Sequence, residues 1–313
     1  MLMTNRKHIY SSFGLRIESD IPLPELPSPE PFDSFGMGTV TVTKSLAPLL
    51  WDESRQVDNY LAVCHHQVLI RVPDVAIFCM RGGDTIIISP YEPSAEDKIR
   101  LYILGTCMGI ILMQRRILPL HGSAIAIHGK AYAILGVSGA GKSTLASTLL
   151  SKGYQLLSDD LIAVTLADDH APTVMPSYPQ QKMWQESIDR LGMSSANLKP
   201  LFDRETKFAV PVPSRFCNSP LPLAGVYELV KTETNATIKP IDGLIRFHTL
   251  LQHTFRGFLI ERLNLMEWHF KTLARFANRI DMYRLQRPAS GFSAHELADY
   301  LLNTIHKEDS DHD

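Results

Sequence analysis

The sequence predicts an α/β protein that combines a small β-rich N-terminal module with a larger domain built around a phosphate-binding loop (P-loop). Three observations predict this architecture. Short runs rich in Val and Ile, separated by turn signals, fill residues 1–93. A glycine-rich loop stands between an apolar strand and a helix, and strand and helix patterns alternate beyond it. The length of 313 residues suits two domains of roughly 150 residues each.

The composition is that of an ordinary globular protein. Hydrophobic residues make up 45% and charged residues 20%, which excludes a disordered, collagen-like or coiled-coil chain. The net charge of −2 provides no overall cationic field for nucleic acid or an anionic membrane. No apolar run approaches the roughly 20 residues of a membrane-spanning helix. We therefore expect neither nucleic acid nor a membrane as a partner.

The cysteines and the first residues indicate a cytoplasmic protein. Cys64, Cys79, Cys107 and Cys217 show no CxxC spacing, so we expect neither a zinc site nor a disulfide framework. Free thiols suit a reducing compartment. The first 14 residues lack the apolar core of a signal peptide.

The predicted N-terminal module covers residues 1–93. Five prolines between positions 22 and 31 make its start extended rather than helical. Turn signals such as Arg81-Gly82-Gly83-Asp84 separate the strands that follow. These strands are predicted at 38–42, 60–64, 68–72, 75–80 and 85–89.

The predicted P-loop domain covers residues 94–305, and residues 306–313 are predicted to form an acidic, solvated tail. The domain begins with a buried helix that ends near Met113, because acids stand in its first turn and an arginine pair follows it. Its later elements are predicted from hydrophobic spacing. They are helices at 182–191, 245–259, 263–278 and 293–305, and strands at 210–212, 224–231 and 280–285.

The P-loop matches the pattern G-x-x-x-x-G-K-[ST] in the required context, after the strand 131–135 and before the helix 144–151. Its glycines allow backbone N–H groups and a helix N-terminus to face phosphate oxygens. Lys142 is expected to lie along the β- and γ-phosphates, and the Ser143 hydroxyl to complete the shell of Mg²⁺. The residues predicted to bind the nucleotide are Gly136, Val137, Ser138, Gly139, Ala140, Gly141, Lys142, Ser143 and Thr144.

Two adjacent acids, Asp159 and Asp160, follow the next predicted strand, only 16 positions after Ser143. A strand–helix–strand unit is parallel, so this strand is expected to end at the same sheet edge as the P-loop. Neighbouring residues on a strand point to opposite faces, so the two acids need not share one role. Phosphoryl transfer to a hydroxyl uses one acid at the metal and one that accepts the proton. The alternative is a polar strand end, where Asp is common in turns.

His121 is expected beside the P-loop because the chain folds back as a β-hairpin. The turn of this hairpin lies near Gly129, which stands eight residues after His121 and eight before Val137. From that position the imidazole could hydrogen-bond a carboxylate or a phosphate oxygen. The alternative is an ordinary polar surface or capping histidine.

Together these residues resemble the HPr serine kinase/phosphorylase family. The resemblance rests on His121-Gly122, on the P-loop that begins 15 positions after His121, and on Lys152-Gly153-Tyr154 leading to the two acids. It is close over about 118–165 and looser to about 290. It implies a P-loop fold related to phosphoenolpyruvate carboxykinase, with ATP and Mg²⁺ as cofactors, and it suggests a homo-oligomer.

The resemblance also implies roles for the site residues. Asp159 would accept the proton of the substrate serine, Asp160 and Ser143 would bind Mg²⁺, and His121 would support the acid pair. The roles of the two acids could be exchanged. The family's Glu-x-Arg-Gly-type signature has no match here, since Arg256-Gly257 lacks the glutamate. This departure argues against the reverse phosphorylase reaction and against HPr as the substrate.

Other segments resemble a divergent branch of the family that accompanies peptide maturation. These segments are Tyr10-Ser11-Ser12-Phe13-Gly14-Leu15, the following Pro22-Leu23-Pro24-Glu25-Leu26, and Pro176-Ser177-Tyr178-Pro179 with Met183-Trp184. Members of this branch look like lasso-peptide precursor kinases, which phosphorylate a C-terminal serine hydroxyl. The resemblance therefore implies a peptide with a serine acceptor as the substrate.

Several weaker candidates have ordinary structural alternatives. Arg204, Lys207 and Arg215 could neutralise charge on the moving phosphoryl group, or could be solvated surface charges. Tyr178 and Trp184 could line a peptide site, although we favour a core patch.

Two rival functions stay open at the level of sequence. The first is a kinase for HPr or for a small metabolite alcohol. The second is a nucleotide-binding sensor without catalysis, which would need only one acid at the metal. A further hypothesis, based on position and size, is that the N-terminal module binds the peptide leader or a partner protein.

Overall fold

The structure is a computed structural model that describes residues 7–29, 36–45, 51, 57–64, 67–91, 96–166, 171–201 and 204–311. The chain divides into two units. The first comprises Met1–Pro119 and Arg256–Phe270, and the second comprises Leu120–Phe255 and Lys271–Asp313. The predicted boundary lay at residue 93, whereas this division falls after Pro119.

The first unit contains a seven-stranded sheet in the order β1-β2-β3-β7-β6-β5-β4. The β2–β3 and β3–β7 pairs are parallel, and the other neighbours are antiparallel. The β-rich character predicted for this part of the chain is confirmed. The hairpin β1–β2 was not predicted. The strands are β1 (His8–Ser12), β2 (Leu15–Ser19), β3 (Thr39–Lys44), β4 (Leu61–Cys64), β5 (Gln67–Val72), β6 (Ala76–Arg81) and β7 (Thr85–Pro90).

A buried helical segment belongs to the first unit and explains why the division falls later than predicted. It consists of α1 (Glu96–Tyr102), a π-helical turn (Ile103–Cys107) and α2 (Met108–Gln114). Gln114 ties it to the sheet, since its Oε1 accepts from Gly83 N at 3.0 Å and its Nε2 donates to Met80 O at 3.3 Å. No helix among the described residues is long and apolar enough to span a membrane.

The second unit is built on a large mixed sheet, in which β11-β9-β10-β17 run side by side. β19 continues the sheet beyond β17 and is followed by β18, while β13 and β12 branch from the start of β17. Strand β8 (Leu118–Leu120) contains the point in the sequence, after Pro119, at which the first unit ends and the second begins. The other strands are β9 (Gly122–Ile127), β10 (Lys130–Leu135), β11 (Gln155–Asp159), β12 (Ile162–Thr165), β13 (Thr173–Met175), β17 (Leu221–Thr232), β18 (Thr237–Pro240) and β19 (Asp281–Pro288).

The predicted hairpin is confirmed as β9 and β10, which pair from Lys130–Ile127 to Leu135–Gly122. β11 then pairs antiparallel with β9. Because β9 is antiparallel to both neighbours, β10 and β11 run in the same direction, with β9 between them. Their carboxyl ends therefore meet at one sheet edge, as the sequence predicts.

The remaining elements of the second unit flank this sheet. A three-stranded sheet has the order β14-β16-β15. The helix predicted over 182–191 is instead the end of β14 followed by the short α4. The last helix continues to Asp311, so residues 306–311 of the predicted tail are helical. The elements are β14 (Gln180–Trp184), β15 (Lys199–Leu201), β16 (Arg204–Pro211), α3 (Lys142–Ser151), α4 (Gln185–Arg190), α5 (Leu244–Gln252) and α8 (Ala294–Asp311).

The second segment of the first unit, Arg256–Phe270, is largely helical. It contains α6 (Leu259–Arg262) and the start of α7 (Met266–Ala277), which continues into the second unit.

The core of the second unit fixes the helix that follows the P-loop. Leu145 and Leu149 of α3 belong to one buried cluster with Leu301 and Ile305 of α8 and with Leu229 of β17. Burial of each such side chain stabilises the fold by about 1.5–3 kcal/mol. The first turn of α3 is therefore held rigidly at the sheet edge.

Candidate functional site

The P-loop connects β10 to α3, and its ends require glycine. A Cβ at Gly136 would lie 2.6 Å from the carbonyl oxygen of Leu229, so the backbone approaches β17 too closely for any side chain. Gly141, which precedes α3, has a φ of 107°, a left-handed conformation that glycine adopts without strain. The loop therefore has the geometry expected of a phosphate cradle at a helix N-terminus.

The ammonium group of Lys142 lies on the inner side of the loop. Its Nζ donates to Gly136 O at 2.8 Å and to Val137 O at 3.1 Å, and lies 3.3 Å from His121 Nε2. Burial lowers the pKa of Lys142, and the nearby carboxylates of Asp159 and Asp160 oppose that effect. The cation thus stands where the terminal phosphates of a bound nucleotide are expected.

Asp159 is buried and joined directly to the P-loop serine. The Ser143 hydroxyl donates to its carboxylate at 3.1 Å, and the Ser123 hydroxyl from β9 donates at 2.6 Å. The backbone N–H of Lys182 completes the set at 2.7 Å. Burial raises the pKa of Asp159, while these donors favour the charged form.

Asp160 sits in a different environment from its neighbour. Its φ of 72° turns the chain into the left-handed region, which Asp tolerates better than most residues. Its carboxylate accepts from Lys182 Nζ at 2.7 Å. Burial alone would raise the pKa of Asp160, but the ammonium of Lys182 outweighs burial and holds that pKa well below its usual range.

His121 bridges the loop lysine and the second acid. Its Nε2 faces the Lys142 ammonium, which can only donate, so Nδ1 carries the proton and donates to Asp160 O at 3.0 Å. Burial, followed by the charge of Lys142, lowers the pKa of His121 below its ordinary value of about 6.5. The imidazole is therefore neutral at pH 7.

A triad of His253, Glu228 and Arg284 lies behind His121 and fixes its backbone, and the first two of these residues are buried. His121 N donates to His253 O at 2.8 Å. The ring of His253 lies 3.3 Å from Glu228 Oε1, and Arg284 Nε donates to Glu228 Oε2 at 2.8 Å. Glu228 stands opposite Leu135, the last residue of β10, so the triad supports the strand that leads into the P-loop.

Sequence reasoning missed three residues of this site, namely Ser123, Lys182 and Arg287. Lys182 lies in a segment predicted as a helix, so its contact with Asp160 could not be anticipated. Arg287, on β19, donates from Nε to Ala140 O of the P-loop at 2.6 Å. In the sequence, Gln180–Trp184 shows no alternation of apolar and polar residues that would have predicted β14.

The weaker candidates from the sequence occupy separate positions in the structure. The Lys207 ammonium lies 5.4 Å from the centroid of the Trp184 ring, and its charge helps to lower the pKa values of Lys142 and Asp160. Arg215 donates to Gly153 O at 3.4 Å. Tyr178 is buried, in keeping with a core position, but Trp184 is partly exposed. The side chain of Arg204 lies outside the described residues.

The oxygen atoms around Ser143 suit Mg²⁺ that is bound together with a nucleotide. Ser143 Oγ and the Asp159 carboxylate are hard oxygen donors, the kind that Mg²⁺ prefers. Within the described part of the chain, no cluster of three or more His, Cys, Asp or Glu side chains could hold a metal alone. Mg²⁺ usually adds water and phosphate oxygens to one or two carboxylates, so the fit is to a metal–nucleotide complex.

Comparisons with known proteins point to one family of kinases. A match to the HPr kinase/phosphorylase of Paraburkholderia phymatum has 30% identity over 132 residues, 42% of this chain and 37% of that protein. The enzyme of Ralstonia pickettii matches at 29% over the same length. Part of the chain is homologous to HPr kinase/phosphorylases. No protein-family model matches the chain.

The extent of these matches is limited. The matching segment spans well under half the length of the curated relatives, for example 39% of the HPr kinase/phosphorylase of Aromatoleum aromaticum. A solved structure, the Hpr(Ser) kinase/phosphatase of Coxiella burnetii, is 16% identical, covers 61% of this chain and 98% of its own, and has a TM-score of 0.34.

Proposed function

We propose that this chain is an ATP- and Mg²⁺-dependent serine kinase. One observation carries the proposal: the P-loop lysine and serine, two acids and a neutral histidine form a continuous set of contacts at one sheet edge. The homology to HPr kinase/phosphorylases over 132 residues supports the same chemistry. A nucleotide sensor that does not catalyse transfer would not need Asp160, the second acid, which is paired with Lys182.

The contacts of the acids favour the exchanged assignment of their roles. Asp159 accepts a hydrogen bond from Ser143, the expected metal ligand, so we assign Asp159 and Ser143 to the metal side. The Asp160 carboxylate instead faces Lys182 and His121, so we assign it to the acceptor hydroxyl. The initial expectation placed Asp160 at the metal and Asp159 at the hydroxyl.

Each residue then has a defined task. Lys142 neutralises charge on the transferred phosphoryl group, and His121 holds both Lys142 and the backbone of Asp160 in place. Asp160, kept ionised by Lys182, orients the serine hydroxyl and accepts its proton as the new O–P bond forms. Bound Mg²⁺ would add charge stabilisation at the phosphates. Positioning and electrostatics supply most of the catalysis, because phosphoryl transfer through a loose transition state needs little covalent help.

We further propose that the acceptor is a C-terminal serine of a lasso-type precursor peptide. The support is the resemblance of residues 10–15, 22–26 and 176–184 to the peptide-maturation branch. An HPr-type protein substrate is the second candidate, since the reported relatives are HPr kinase/phosphorylases. The missing Glu-x-Arg-Gly signature favours the peptide.

One assay separates these candidates. The purified chain is incubated with Mg²⁺ and γ-labelled ATP, and with a serine-ended peptide, HPr or a panel of metabolite alcohols. We expect label on the peptide, and none on a matched peptide that ends in alanine. Label on HPr alone would support the second candidate, and label on a metabolite alone would contradict both. The Lys142→Met variant controls for a contaminating kinase.

A further inference from the structure

The three-stranded sheet β14-β16-β15 of the second unit has two faces of different character. On one face, Met183 of β14 is buried in an apolar cluster with Val210 of β16. Successive side chains of a strand point to opposite faces, so Lys182 and Trp184 lie on the other face. Lys207 shares that face, because it stands directly opposite Trp184 in the β14–β16 pairing.

Lys182 directs this second face toward the two acids. Its backbone N–H donates to the Asp159 carboxylate at 2.7 Å, and its Nζ donates to the Asp160 carboxylate at 2.7 Å. Trp184 follows two residues later, roughly 7 Å along the strand. Its side chain is partly exposed. The surface next to Asp160 therefore continues into the Trp184 ring.

The ammonium group of Lys207 lies close to this ring. Its Nζ is 5.4 Å from the ring centroid of Trp184, a separation at which a cation and an aromatic ring attract each other. The charge of Lys207 also acts on the acid. Burial raises the pKa of Asp160 and Lys182 lowers it, and Lys207 lowers it further with a smaller effect. A second cation and an aromatic ring thus stand beside the acid that we assign to the acceptor hydroxyl.

The chemistry of a C-terminal serine explains why a second cation would be needed there. Such a serine carries its hydroxyl on Cβ and a free carboxylate on the neighbouring Cα, so both groups must bind close together. The carboxylate would then approach Asp160, and two like charges repel each other unless a cation lies nearby. Lys182 is already paired with Asp160. An internal serine has a neutral amide at this position and needs no further cation.

We propose that Lys207 binds the α-carboxylate of the acceptor and thereby selects a serine at the end of a peptide over an internal serine. The Trp184 ring holds the ammonium group at the sheet surface. The inference rests on the proposed serine kinase and names the feature by which that kinase recognises its substrate. It differs from the alternative raised by the sequence, in which Lys207 neutralises charge on the moving phosphoryl group.

The test compares three synthetic peptides in the labelled-ATP assay with the full chain. One ends in serine with a free carboxylate, the second is the same peptide as its C-terminal amide, and the third has one alanine added after the serine. We expect kcat/KM of the wild type to favour the free acid over the other two by about tenfold or more, the usual effect of one hydrogen bond to a charged group.

The variants assign this preference to one side chain. Lys207→Met should remove most of the preference, and Lys207→Arg, which keeps the charge, should retain it. Lys199→Met is the matched control, because it removes the same charge from β15, which β16 separates from β14. It should leave the preference unchanged. Lys207→Gln takes the place of Lys207→Met if that variant does not fold.

Two results in the kinase assay would overturn the proposal while leaving the kinase intact. The first is equal turnover of the acid and the amide by the wild type. The second is an equal loss on all three peptides in Lys207→Met, which would place Lys207 at the phosphoryl group instead.

Calorimetric titration with the same peptides, in the presence of Mg²⁺ and a non-hydrolysable ATP analogue, separates this proposal from the proposed function. If no peptide is phosphorylated, but the wild type binds the acid more tightly than the amide and Lys207→Met does not, the kinase is contradicted and the carboxylate site is supported. A wild type that shows no preference for the acid in either measurement would overturn the proposal.

Discussion

At the scale of single residues, the pair of Lys182 and Asp160 sets the charge of the candidate site. The Lys182 side chain is almost fully buried, and burial alone would lower its pKa, but the Asp160 carboxylate raises it. Each charge thus stabilises the other. Removal of one partner leaves the other in an environment that disfavours its charged form.

Lys182→Met should therefore raise the pKa of Asp160 toward its ordinary range, since the cation that lowers it is gone. The acid limb of the pH profile of kcat should therefore move to higher pH. The measurement is the pH–rate profile of the labelled-peptide assay. Lys199→Met, on the exposed start of β15, is the control. An acid limb that stays in place would show that Asp160 does not depend on Lys182.

A second prediction concerns Glu228 and the stability of the folded protein at acid pH. Burial would raise the pKa of this carboxyl, but the bonds from His253 and Arg284 outweigh burial and lower it. A folded-state pKa below the unfolded value of about 4.3 adds stability above that pH, and this stability is lost as the pH falls through the folded pKa. Acidification below pH of about 4.3 should thus destabilise the wild type through this group.

Glu228→Gln should lower the melting temperature at pH 7 and flatten its dependence on pH in the acid range. Melting curves of the two proteins between neutral and acid pH measure the difference. Glu233→Gln, at an exposed position after β17, should leave both properties unchanged. Parallel pH curves for Glu228→Gln and the wild type would refute the account of this triad.

At the scale of elements, the sequence predicted those strands and loops whose formation depends on local residue patterns. The hairpin β9–β10, the P-loop and the direction of β11 follow from alternation, glycine spacing and the short path between 143 and 159. β14 could not be predicted in this way, because it is a strand only through its pairing with β16, whose residues lie more than 20 positions later. Lys182 was missed for the same reason.

The packing of α8 on α3 gives a prediction about how the P-loop is supported. Leu301 is fully buried in the cluster that contains Leu145 and Leu149. Leu301→Ala should destabilise the protein by about 2–5 kcal/mol, because it removes buried methyl groups and leaves a cavity. Urea unfolding of this variant and of Asn303→Ala, at an exposed position two residues later, measures the effect. Equal unfolding midpoints in the two variants would contradict this packing.

At the scale of the whole molecule, the division of the chain changes how the N-terminal module should be tested. The sequence predicted two parts with a cut at residue 93, and such a cut would separate the first sheet from the helical segment 96–114, which belongs to the same unit. Hydrophobic patterns do not reveal which of two sheets a buried helix packs against, so the boundary could not be placed from sequence. Residues 256–270 join this unit from far along the chain.

Deletion of residues 1–93 should therefore expose the apolar helix residues between Ile103 and Met113 and yield aggregated protein. Size-exclusion chromatography of the truncated chain measures this. A soluble, monodisperse product would contradict the unit as described. In that case its Michaelis constants for peptide and ATP would test whether the module binds the peptide, since only the constant for peptide should rise.

The central claim is that Asp159 serves the metal and Asp160 serves the acceptor hydroxyl in one kinase site. Kinetics of Asp159→Asn and Asp160→Asn with Mg²⁺, ATP and a serine-ended peptide test it most directly. We predict that Asp160→Asn retains ATP affinity but loses about 10²–10⁴-fold in kcat, while Asp159→Asn requires far more Mg²⁺ to bind ATP. Full turnover in Asp160→Asn, or an unchanged Mg²⁺ requirement in Asp159→Asn, would contradict the account.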